Sequence, residues 1–185
     1  AQEAANDDNE VGVTAITSIV DSTTRGTVGV VTSAGRAHRV EVLELPMTST
    51  GHSIAGAPVS EYCSLDRGEK PVGLMAISAP SSTTAGSADD IPTPVVTAIG
   101  TAQGVVKRIS AADLAAITGD ALVMNVEEKD KLGWALRTTG DQEVMLITNS
   151  GQAIRFAEDE VRAMGLAAGG VGGIKLEKNE RVIHA

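Results

Sequence analysis

The sequence predicts an all-β fold of about three four-stranded antiparallel blades, stacked as a partial propeller-like disc. Three observations carry that expectation. A frame of the form T-x-x-G-x-x-x-R, followed by an apolar residue, occurs three times: Thr32 to Val40, Thr101 to Ile109 and Thr148 to Phe156. Each copy is flanked by short β-branched or apolar runs of strand length. A unit of roughly 40 to 50 residues with about four short strands cannot bury both faces of its own sheet, so neighbouring units must stack.

Each copy reads as a hairpin. Val28 to Val31, Val95 to Ile99 and Val144 to Ile147 enter a turn of small polar residues closed by Gly35, Gly104 or Gly151. Glycine at that position accommodates a left-handed backbone. The chain resumes as His38 to Val42, Val105 to Ile109 and Ala153 to Phe156. Five residues beyond the apolar end of the frame stands another apolar residue, Leu45, Leu114 or Val161. Each unit then closes with an apolar residue, followed four positions later by an acid and a base: Leu65 with Glu69 and Lys70, Val126 with Asp130 and Lys131, Leu176 with Glu180 and Arg181. Further strands are expected near Val72 to Ile77, Trp134 to Leu136 and Val182 to Ile183. The turn glycines lie 69 and then 47 residues apart, so the first unit is the same device with a longer interior.

Taken in order, residues 1–10 form an acidic, non-periodic leader, and 11–185 are expected to form the repeat domain. Val11 to Val20 resembles a closing strand whose own repeat is missing. It is either the remnant of a longer array or a strand that closes the last blade across the chain ends. The repeats span about 21–79, 93–140 and 141–185, with Gly51 to Pro58 as an internal loop of the first. Residues 80–92, rich in Ser, Thr and Ala, read as a flexible linker. Ser110 is placed to cap a short helix running to Ile117, and Glu158 to Met164 is expected to make an equivalent turn.

Composition excludes several functions. Aromatic residues make up 2% of the chain, which leaves no base-stacking platform for single-stranded nucleic acid. A lone Cys63 permits a reducing compartment, forms no internal disulfide and reads as a buried thiol. No apolar run has membrane-spanning length. The net charge is −9, but the leader carries −4 of it and residues 81–90 another −2, so the repeats are near neutral and a local basic rim is possible. His38, His52 and His184 share no metal-ligand spacing, so no metal site is expected. The Gly165 to Gly173 stretch lacks the ending of a phosphate loop and reads as a place of close backbone packing. Thr32, Thr101 and Thr148 set the turns. No catalytic constellation and no cofactor are expected.

Ile154-Arg-Phe-Ala-Glu-Asp-Glu-Val-Arg-Ala-Met-Gly165 with Gly169-Gly-Val-Gly-Gly-Ile-Lys-Leu176 resembles the C-terminal repeat domain of the bacterial type IIA topoisomerase A subunit, the domain found in DNA gyrase and topoisomerase IV. Gly100 to Arg108 and Val30 to Gly35 look like the same repeat, and the resemblance covers nearly all of residues 13–185. It implies a β-pinwheel, non-catalytic in itself, that binds and bends duplex DNA on a basic outer edge with little sequence preference. It further implies two protein partners, the remainder of its own polypeptide and the topoisomerase's ATPase subunit, with a cytoplasmic, nucleoid-associated location. The chain departs from the family pattern in having three repeats where the family disc has about twice as many. It also lacks the glutamine-arginine-glycine-lysine box of gyrase, and has Leu166 and Gly172 where related repeats tend to carry arginine. These departures favour a topoisomerase IV-like or degenerate member.

Binding that ignores base identity needs cations placed along a phosphate path. The resemblance makes Arg36, His38, Arg39, Lys107, Arg108, Arg155, Arg162 and Lys175 the DNA-binding candidates, with Arg36, His38 and Lys107 foremost. The repeated arginines Arg39, Arg108 and Arg155 have an alternative role, pairing with Glu69, Asp130 or Glu180 to hold blades together. Lys70, Lys131 and Arg181 stand beside acids and read as solvated pairs. A second expectation for the whole is a blade array that acts as a protein-interaction scaffold with little DNA binding.

Overall fold

The computed structural model describes residues 16–47, 56–77 and 96–185. The leader, the linker and parts of the Val11 to Val20 run and of the internal loop lie outside the described residues. Within them the strands follow the repeat frame: β1 (Thr27–Thr32), β2 (Arg36–Glu41) and β3 (Pro71–Ala76) from the first unit. The second unit gives β4 (Val96–Thr101), β5 (Val105–Ile109), α1 (Ala111–Ala115), β6 (Ala121–Leu122) and β7 (Leu132–Thr138). From the third come β8 (Glu143–Thr148), β9 (Ala153–Ala157), β10 (Val171–Gly172) and β11 (Val182–His184). Ser110 caps α1 by accepting a hydrogen bond from the Asp113 N–H at 3.1 Å. Glu158–Glu160 forms a single 3-10 turn, as does Val59–Glu61.

The sheets are antiparallel, and their order differs from the expectation that each unit fills its own blade. They run β3-β1-β2-β6, β10-β5-β4-β7 and β11-β8-β9. The fourth strand of the first sheet is therefore donated by the second unit, and that of the second sheet by the third. Among the described residues the third sheet has three strands, and β9 is its open edge.

Stacking supplies the burial that single sheets lack. Val31, Met75 and Ile77 of the first sheet pack on Ile99, Ile109 and Ala135 of the second. Ala98, Val106 and Trp134 of the second pack on Val144, Leu146 and Val182 of the third. Any side chain at Gly100 would collide with the Trp134 ring, which explains a glycine inside a central strand. Cys63 is buried with Val28, Val30 and Val40 on the outer face of the first sheet. Residues 16–20 form no strand; Ser18 Oγ instead accepts from the Leu74 N–H of β3 at 3.1 Å.

Candidate nucleic-acid interface

The three hairpin turns are built alike. Gly35, Gly104 and Gly151 have φ of 75°, 80° and 85°, and each donates its N–H to the carbonyl of the threonine three residues earlier. The closing acid secures the same turn. Glu69 accepts from Thr32 Oγ1, the Asp130 carboxylate from the Gln103 N–H at 3.0 Å, and Glu180 from Thr148 Oγ1 at 2.9 Å. Hydrogen bonds from the Glu177 N–H, Ser150 and Thr148 hold the Glu180 carboxyl below its ordinary range. Glu69 is also lowered: burial pushes it up, but Thr32, the Asp66 N–H, His38 and Arg36 together outweigh that. The repeat acids thus serve the turn, and the alternative pairing with Arg39, Arg108 and Arg155 is not what the side chains do.

Those arginines reach the next unit by another route. Arg39 Nη1 donates to the Ile117 carbonyl at 2.8 Å, across the junction between first and second sheets. Arg108 Nη1 donates to the Glu158 carbonyl at 2.6 Å, across the junction between second and third. Glu158 is itself fixed, its buried carboxylate accepting from the N–H groups of Gly140 at 2.7 Å and Gln142 at 2.9 Å. Arg155, at the same place in the third unit, is 69% exposed and lies 3.1 Å from Glu143 of its own sheet.

The residue before each arginine requires a correction. Lys107 is 1% exposed, and its ammonium donates to the carbonyls of Val123 at 2.7 Å, Leu166 at 2.6 Å and Ala168 at 3.1 Å. Two of those carbonyls belong to the third unit, so the lysine is a clamp between units and has no face to offer a phosphate. Burial lowers its pKa to about 8, with Asp113 pulling the other way. His38 is equally buried; its Nδ1 lies 2.9 Å from Asp120 of the second unit and its Nε2 lies 3.8 Å from Glu69. Both residues, placed first for phosphate contact by sequence, are inside the junctions. Arg39 and Arg108 are half-buried with their guanidinium groups committed.

Four candidates stay outside. Arg36 donates to Asp66 at 3.2 Å, and its side chain is 36% exposed. Arg155 is paired with Glu143, and both partners are largely exposed. Arg162 and Lys175 are exposed and have no ion pair among the described residues. Lys70, Lys131 and Arg181 are also exposed, but the acid beside each is engaged by its own turn. Sequence reasoning missed Ile117, Asp120 and Glu158 as junction partners. It also missed the donated strands, which begin five residues before the closing apolar residues Val126 and Leu176. That constant offset was the one available signal.

A family model described as the DNA gyrase C-terminal domain, a β-propeller, matches residues 98–138 and 142–185, the second and third repeats. The DNA gyrase A protein of Haemophilus influenzae is 30% identical over 162 residues, covering 87% of this chain and 17% of that protein. That of Aminobacterium colombiense is 29% identical over 181 residues, covering 97% and 20%. The chain is similar to the gyrase A C-terminal repeat domains. It spans about a fifth of the length of these gyrase A relatives. The fold agrees: a topoisomerase IV C-terminal domain superposes with a TM-score of 0.69 at 22% identity, over 87% of this chain and 46% of the other. A gyrase A C-terminal domain gives 0.63 at 20% identity, over 88% and 48%. The chain has an all-β blade architecture with one strand of each four-stranded sheet supplied by the following unit.

Proposed function

We propose that the chain is a non-catalytic module of a bacterial type IIA topoisomerase that binds duplex DNA through its phosphates and bends it toward the strand-passage core. Its partners are then DNA, the rest of the gyrase A-type polypeptide and the ATPase subunit, in the cytoplasm with the nucleoid. The similarity to gyrase A C-terminal domains supports this reading, and the observation that carries it is that four of the eight candidate basic side chains, Arg36, Arg155, Arg162 and Lys175, are left outside the junctions. Arg162 and Lys175 are free to meet phosphate at once. Arg36 and Arg155 can exchange Asp66 and Glu143 for phosphate at small cost, because exposed ion pairs are worth about 0–1 kcal/mol. No helix among the described residues is long and apolar enough to cross a membrane.

Fluorescence anisotropy of a labelled duplex across a salt series tests this. Each phosphate contact contributes roughly 0.9 to the slope of log K against log salt, so four contacts give at most about 3.6. A second reading, a protein-interaction scaffold, is favoured by one observation: half of the eight basic candidates are spent on holding units together. The absence of binding at low salt would select it.

A further inference from the structure

Before β10 the third unit passes along the second junction in a glycine-rich arc, Gly165-Leu-Ala-Ala-Gly-Gly170, that is neither helix nor strand. The arc is anchored at both ends. Ahead of it Met164 N–H donates to the Arg108 carbonyl at 3.0 Å, and after it β10 pairs with β5 at Val171 and Val106. Between those anchors the backbone is organised by Lys107. Its ammonium donates to the Leu166 and Ala168 carbonyls at 2.6 and 3.1 Å, and the Asn125 N–H adds a longer contact to Ala168 at 3.3 Å.

Alternate carbonyls drawn inward leave donors facing outward. A trans peptide sets its N–H opposite its C=O, and the described residues contain no cis peptide, so the N–H groups of Ala167 and Gly169 point away from Lys107. Both residues are exposed, and neither N–H has an acceptor among the described residues. Nothing bulky screens them: their own side chains are a methyl group and a hydrogen, and Leu166 packs against the core. Arg162 precedes the arc and Lys175 follows it, both exposed and without an ion pair among the described residues.

The first junction has no such arrangement. Residues 115–120 precede β6 as 165–170 precede β10, but His38, in the place of Lys107, meets the Asp120 carboxylate at 2.9 Å instead of loop carbonyls. The Asp120 side chain is 46% exposed, so that loop shows the solvent a negative charge where the third unit shows unpaired donors.

We infer that residues 165–170 form a phosphate-binding site, in which the outward N–H groups of Ala167 and Gly169 hold the phosphate oxygens, Arg162 and Lys175 supply charge, and Lys107 is the buried positioning residue. The inference rests on the DNA reading for its ligand, a backbone phosphate of the duplex. Main-chain donors of this kind form anion-binding concavities and fix a phosphate without reading sequence. Being uncharged, they add affinity while releasing no counterion, so they leave the salt slope to the side chains.

The test is an NMR titration of the 15N-labelled chain with a short duplex. The amide protons of Ala167 and Gly169 are expected to move downfield on binding, while that of Gly119, exposed in the second unit's loop, stays in place. Lys107→Met is expected to remove both shifts and weaken duplex binding by roughly 10-fold, about the worth of one hydrogen bond to a charged group, with the salt slope unchanged. Duplex binding to the native chain that leaves both amides unmoved overturns the inference and spares the DNA reading. If no duplex binds, inorganic phosphate becomes the probe: movement of the same two amides keeps the site and overturns the DNA reading, and no movement overturns both. The titration of the native chain decides the matter even if Lys107→Met fails to fold.

Discussion

Replacing Lys107 by Met separates the cost of burying an ammonium from the gain of its three carbonyl contacts. The side chains are similar in length and the strand position is unchanged, so the variant removes charge and donors with little change in volume. In the folded protein burial lowers the lysine pKa from 10.5 to about 8. Between those values the unfolded chain binds more protons than the folded one, so this group's contribution makes stability rise with pH across that window. The span is worth at most about 3 kcal/mol, on the order of 1.4 kcal/mol per pH unit. Chemical denaturation followed by the single tryptophan, Trp134, at intervals from pH 7 to 11 measures it. Titrations common to both proteins cancel when the stability of Lys107→Met is subtracted from that of the native chain. The difference is expected to grow in favour of the native chain by about 2–3 kcal/mol between pH 7 and 10.5. A flat or falling difference would refute the reasoning, because it would mean that the carbonyls of Val123, Leu166 and Ala168 hold the ammonium more strongly than burial disfavours it.

Arg39→Ala and Arg108→Ala each strip a donor from a carbonyl in a junction, and equilibrium unfolding is expected to show losses of about 1–3 kcal/mol, against under about 0.5 for Arg155→Ala. Alanine at Gly151 is expected to cost about 1–2 kcal/mol for its left-handed backbone alone, while at Gly35 and Gly104 the collision with the next unit adds to that, which thermal unfolding ranks. The lowered Glu180 carboxyl stabilises the fold above its unfolded pKa and ceases to do so as pH falls through the folded value. The stability gap between the native chain and Glu180→Gln should therefore close on acidification through the range below 4.5, in an acid titration followed by circular dichroism.

The hairpins were legible because Thr, Gly and the apolar runs act locally: β5 spans Val105–Ile109 as the frame implies, and Ser110 caps the helix it precedes. Lys107 and His38 were not. In a sheet covered on both faces, consecutive residues such as Val106 and Lys107 are both buried, so alternation no longer separates inside from outside. A position that reads His, Lys and Ile in three copies looks like variable surface, when His38 and Lys107 in fact answer to two different junctions and only Ile154 is exposed. The donated strands escaped for a simpler reason: Ala121–Leu122 and Val171–Gly172 are two residues long, and their partners lie far off in sequence. For the candidate interface, sequence could find the cations but could not say which of them the stacking of units would consume.

The most direct test compares salt slopes for a labelled duplex of about 40 base pairs between Arg162→Glu/Lys175→Glu and Lys107→Met, each under conditions where it is fully folded. The reading of exposed cations as phosphate contacts and buried ones as clamps predicts that the double variant lowers the slope by about 2, at roughly 0.9 per contact, while Lys107→Met leaves it unchanged. The reverse result, a slope lost with Lys107 and kept without Arg162 and Lys175, would contradict it.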